Sequence, residues 1–249
     1  MPKEQGMTKR EQLREKRARE AQRSRLMIIA GIVVLAVLVV GFVITQSAPP
    51  TPSGEVAEVT PRSYPQADMN TMGDPNAPVK VDVWEDLQCP ACLRFSENVE
   101  PLLVENYVKT GKVYYTFHHF PFLDNNSASK ESDQAASASM CAGDQGQFWQ
   151  YKEIVFLNWN GENQGAYSDS RLTAFAEAMG LNMEQFSACF ESNKYKAQVD
   201  QSYKEGIALG IASTPTTFVN GVMATNPGGP NLVPTYENIA AMIDAALSQ

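Results

Sequence analysis

Cys89-Pro90-Ala91-Cys92 sets two thiols three residues apart, directly after the run Val81-Asp82-Val83-Trp84 and the acidic turn Glu85-Asp86-Leu87-Gln88. The run reads as a buried strand, and the motif opens a long helical pattern. Two sulfurs one helical turn apart can close a small disulfide ring and reopen it, so the chemistry on offer is thiol–disulfide exchange. A helix start has unpaired N–H groups and the positive end of the dipole, both of which favour an anion. The Cys89 thiolate is therefore expected to be stabilised and its pKa lowered. Pro90 suits a first-turn position, where no N–H is needed. On this reading Cys89 is the exposed sulfur that is attacked and Cys92 the more buried one that resolves the mixed disulfide. A permanent Cys89–Cys92 bond and a zinc site are the alternatives. Zinc is weakened because His118 and His119, the only histidines, are consecutive on a strand pattern and point to opposite faces. One of them is expected to pack inward with a satisfied hydrogen bond and the other to sit at the surface.

These thiols need a scaffold, and the flanking pattern supplies one. After Cys92, apolar residues recur at Phe95, Val99, Leu102, Leu103 and Tyr107, which predicts a helix kinked near Pro101 and ended by Gly111. Val113 to Phe120 alternates as a strand. From about residue 126 to 210 the chain is Ala- and Gln-rich, with five helical stretches and no strong strand signal. That block reads as an insertion in an α/β core rather than a separate domain. Thr216 to Val219 resumes as a strand, Asn220-Gly221 is a tight hairpin signal and Val222 to Ala224 the return. Thr235 can cap a final amphipathic helix. With Cys89 and Cys92 paired, Cys141 and Cys189 remain as a complementary pair in two different predicted helices. They read as a structural disulfide of the helical block, with two buried free thiols or a second redox relay as alternatives.

The strand, Asp86-x-x-Cys89-Pro90-x-Cys92, Thr214-Pro215 and the closing helix together resemble the DsbA-like thiol:disulfide oxidoreductases, over roughly residues 76 to 249. The resemblance implies an α/β thioredoxin-like fold with an inserted helical domain. It also implies that Pro215 is cis and lies against the cysteine motif, leaving the backbone around Thr214 free to pair with an extended substrate. The implied reaction is oxidation of cysteine pairs in secreted or envelope polypeptides. Re-oxidation would fall to a quinone-linked membrane partner of the DsbB or vitamin K epoxide reductase kind, with no cofactor or metal on this chain. A reductase or isomerase is the rival within the enzyme class, and a metal-delivery module the rival outside it. Two positions depart from the pattern. Relatives often carry a buried carboxylate six residues before the first Cys, where this chain has Val83. Asp82, Glu85 and Asp86 are the available substitutes, Asp86 being favoured by position. Strongly oxidising relatives carry a His where this chain has Ala91, which predicts an intermediate potential.

Charge divides the chain in two. Residues 1–25 hold nine Lys/Arg against four Glu, a net of +5, so the rest of a chain with formal charge −8 carries −13. Leu26 to Thr45 is nearly all apolar and uncharged, long enough as a helix to cross a bilayer. The basic head predicts a cytoplasmic N-terminus and an extracytoplasmic remainder; a cleaved signal peptide is the alternative and a nucleic-acid role is disfavoured. Pro- and Ser-rich residues 46–75 read as a spacer before the domain at 76–249.

Overall fold

The computed structural model describes residues 22–23, 25–27, 29–39, 55–57, 59–60, 62–226 and 233–248. The chain divides into two units, Met1–Pro49 and Pro50–Gln249. In the first, the described residues within 22–39 are helical and exposed; this helix is α1. Among the described residues no helix is long and apolar enough to cross a membrane. The span expected at 26–45 lies partly outside them.

The second unit is built on a five-stranded sheet of order β1-β3-β2-β4-β5. Its strands are β1 (Thr71–Met72), β2 (Val79–Glu85), β3 (Val113–His119), β4 (Thr216–Val219) and β5 (Val222–Met223). Parallel β2 and β3 form the centre, and β1 and β4 flank them antiparallel. Alternation explains β2: Val79, Val81 and Val83 are buried on one face while Lys80 and Asp82 are half-buried on the other. The crossover from β2 to β3 runs through α2 (Pro90–Asn98) and α3 (Glu100–Leu103), broken at Val99 just before Pro101, then a π-helical turn at Val104–Val108. Gly111 closes it at φ 73°, a conformation glycine adopts without steric cost.

Between β3 and β4 come a 3₁₀ turn (Phe122–Asn126) and five helices: α4 (Glu131–Gly143), α5 (Phe148–Leu157), α6 (Asp169–Ala178), α7 (Met183–Glu191) and α8 (Lys196–Ala208). Cys141 of α4 and Cys189 of α7 are joined by a disulfide. The insert packs onto the sheet, not beside it. Gly206 of α8 lies so close that a Cβ there would stand 2.6 Å from the Phe120 ring and 3.1 Å from Trp84. The turn at Asn220-Gly221 has φ of 47° and 78°, joining β4 to β5, and α9 (Tyr236–Leu247) begins with a capping box between Thr235 and Asn238.

The expected spacer is shorter than read. Met72 is fully buried in β1, Val56, Val59, Tyr64 and Met69 pack against the core, and Ala57 exchanges hydrogen bonds with the Asn158 side chain. Proline excludes helix and central strand from this stretch, but it leaves an extended strap free to lie on α5. The sheet thus starts before residue 76.

Candidate active site

Cys89 is the N-cap residue of α2, with extended backbone (φ −75°, ψ 122°) and Pro90 directly behind it. The strand ends at Glu85, a turn closed by Cys89 N–H donating to Asp86 O follows, and the helix begins; that sequence of events puts both sulfurs beyond the C-terminal end of the central strand β2. Cys89 is 7% exposed and Cys92 fully buried, so the first sulfur is the more accessible but far less open than expected. The loop at Thr214-Pro215, whose peptide bond is cis, accounts for that cover. Cys89 Sγ donates to Thr214 O at 3.5 Å. The four residues singled out from sequence, Cys89, Cys92, Thr214 and Pro215, are therefore brought together from elements 125 positions apart in the chain.

The two thiols are free and electrically unlike. A hydrogen bond from Cys92, with the backbone N–H groups of Cys92 and Ala91, outweighs burial and lowers the Cys89 pKa to about 6. Burial pushes Cys92 well up, and the neighbouring Cys89 and Glu85 push it further. At neutral pH one sulfur is a thiolate and its neighbour holds a proton, which is the division of labour exchange chemistry needs.

The acidic turn behaves differently from expectation. Asp86 is buried, but its carboxylate is fully engaged as a clamp, accepting from Gln88 N–H at 2.8 Å, Leu123 N–H at 3.0 Å and Ser132 Oγ at 2.7 Å. Burial still raises it to about 7. Asp82 faces the other side of the sheet, 3.0 Å from His118 Nε2. Glu85 is the acid electrostatically coupled to the thiols: its charge would raise Cys92, and Cys89 in turn raises it. It is fully buried, neither carboxyl oxygen has a hydrogen-bond partner, and burial above all raises its pKa to about 8. Its parity in β2 matches inward-facing Val79, Val81 and Val83, so strand alternation contained the signal that proximity to the cysteines obscured.

The insert reaches the same site. Trp159 Nε1 donates to Gln88 O at 2.7 Å, and the buried Gln88 side chain donates to Ser132 Oγ at 2.8 Å and accepts from Asn163 N–H at 2.6 Å. The residue preceding Cys89 is thus held from three sides. His118 stacks on Trp84, and His119 is buried with Nε2 3.0 Å from Ser139 Oγ, so the two rings diverge.

A sheet of this order with a dithiol at the β2–α2 junction is a thioredoxin-type arrangement, and the relatives agree. The thioredoxin family model matches residues 66–245. The chain belongs to that family, among its DsbA-like thiol:disulfide oxidoreductases. A Bacillus cereus protein named "Probable disulfide bond formation protein D" is 26% identical over 230 residues, covering 91% of this chain and 99% of its own. Among solved structures, oxidised BdbD from Bacillus subtilis has a TM-score of 0.62 at 21% identity, covering 78% of this chain and 100% of its own. Wolbachia pipientis alpha-DsbA1 has a TM-score of 0.59 at 26% identity, covering 74% of this chain and 94% of its own.

Proposed function

We propose that the chain is an extracytoplasmic disulfide oxidase that takes electrons from cysteine pairs of secreted or envelope polypeptides through Cys89 and Cys92. The observation that carries this reading is the unequal acidity of the two thiols, because a stabilised Cys89 thiolate favours the reduced enzyme and so makes its disulfide a stronger oxidant. The naming of the Bacillus cereus relative for disulfide bond formation supports the direction.

In the forward reaction a substrate thiolate attacks Cys89 Sγ of the disulfide. The S–S bond breaks and its electron pair goes to Cys92 Sγ. Glu85, protonated at neutral pH, gives its proton to that sulfur and is re-protonated from solvent. The second substrate thiolate then attacks its own half of the mixed disulfide, and Cys89 leaves as the stable thiolate. Two electrons and one proton have moved to the pair, and the other substrate proton goes to water. The Thr214 carbonyl beside Cys89, on the loop leading into β4, would align an extended peptide across the sulfur.

The uncharged run 26–45 following a basic head supports a single-span anchor with the domain outside. Such a chain would be re-oxidised in the same layer by a quinone-linked membrane oxidase. Equilibration of the protein with glutathione tests the direction: a potential well above that of thioredoxin, about −270 mV, is expected. A value at or below it makes the chain a reductase. In a rapid-mixing assay Glu85→Gln should slow single-turnover oxidation of a dithiol peptide about 10- to 100-fold while leaving Cys89 alkylation intact.

A further inference from the structure

The helical insert sends a lysine into the thioredoxin core. Lys152 of α5 is completely buried, on the stripe that also carries Phe148, Trp149, Val155 and Phe156. Its ammonium bonds the buried Glu100 carboxylate of α3 and lies over the rings of Phe117, Trp149 and Phe156. Glu100 also accepts from Tyr115 OH of β3 at 3.3 Å. Glu85, the third ionisable residue here, has no hydrogen-bond partner at either oxygen. Two acids are thus electrostatically coupled to the buried Lys152, and only Glu100 is bonded to it.

We propose that Lys152 is a positioning residue for Glu85: Glu100 and Glu85 compete for its one positive charge, and that competition decides whether Glu85 keeps its proton. The proposal rests on the reading of Glu85 as the proton donor to Cys92. With Glu100 bonded to Lys152, much of the cation's charge is already offset, and a second buried carboxylate would be only partly compensated. Glu85 accordingly holds its proton until Cys92 leaves as a thiolate. When the proton passes from Glu85 Oε to Cys92 Sγ, the new carboxylate draws on Lys152, and the original share returns as Glu85 takes a proton from solvent.

The groups facing Glu85 fit this arrangement from every side. On α2, Cys89 opposes its ionisation and Cys92 responds to its charge; on α3, Glu100 opposes it; on α5, Lys152 favours it. Tyr115 of β3, hydrogen-bonded to Glu100, stays protonated. Behind Lys152, Glu153 adds a further negative charge and is itself held by Arg62 at 3.1 Å, and the buried His119 is neutral.

The test uses the full chain, reduced, with the pH midpoint of the protonated-carboxyl infrared band as readout and the band assigned by its loss in Glu85→Gln. Glu100→Gln leaves Lys152 to Glu85 alone and should lower the midpoint by roughly 1–3 pH units. Lys152→Met combined with Glu100→Gln removes cation and competitor together, avoids an unpaired buried charge, and should raise the midpoint above that of the unmodified chain. Opposite shifts in the two variants, mirrored by the pH profile of single-turnover oxidation of a dithiol peptide, support the proposal. An unmoved midpoint, or two shifts of the same sign, overturns it and leaves Lys152–Glu100 a structural ion pair. Persistence of the band in Glu85→Gln overturns the reading of Glu85 itself, and the proposal with it.

Discussion

Removing the side chain of Cys92 does two separable things. It leaves no thiol to resolve a mixed disulfide, and it takes away the strongest of the hydrogen bonds that hold Cys89 acidic. Cys92→Ala should therefore accumulate mixed disulfides with substrate while the Cys89 pKa climbs from about 6 toward the ordinary thiol range. Cys92→Ser also traps substrate, but its hydroxyl still donates to the thiolate and should keep the Cys89 pKa below that of the alanine variant. Alkylation rate against pH for the two variants checks this; identical midpoints would mean that the helix start alone sets the acidity.

Elements explain why some of the site was readable in the chain and some was not. Cys89, Cys92 and Pro90 form a local pattern whose chemistry follows from one turn of helix, and Asn220-Gly221 likewise announces its turn. Asp86 and Glu85 could not be sorted locally, because what distinguishes them comes from far away. Ser132 and Leu123 occupy Asp86, while nothing bonds Glu85. Lys152 was legible only as a lysine on an apolar helical stripe, a signal whose meaning depends on Glu100 and Glu85 arriving from other elements. The prolines of the spacer hid β1 for a similar reason: a two-residue strand has no periodicity, and its place is set by pairing with β3. A chain beginning at residue 76 lacks Met72 and the strap on α5, and should be less stable than one beginning at residue 55 by at least about 2 kcal/mol, the worth of one buried methionine. Chemical denaturation of the two would show it; equal midpoints would reduce the strap to a spacer after all.

For the molecule as a whole, redox state and stability are linked through Cys89. Its folded pKa is depressed, so the stability it contributes is fully present above the unfolded value of about 8.5 and is lost as pH falls through about 6. The disulfide form has no such group. Glu85, raised to about 8, contributes with the opposite sign: its share is present below the unfolded carboxyl value and is lost as pH rises through the folded one. That share is largely common to both redox forms and drops out of their difference. The reduced protein should therefore gain on the oxidised one by roughly 1 kcal/mol between pH 6 and 7, and further up to about pH 8.5. Paired denaturation curves across that range measure the gain, and a flat difference would break the link between thiolate and oxidising power.

The most direct measurement follows thiolate absorbance of the reduced protein in the ultraviolet as pH is lowered. A midpoint near 6 that disappears in Cys89→Ser is the expected result. A midpoint at about 8.5, the value of an unperturbed cysteine, would contradict the account.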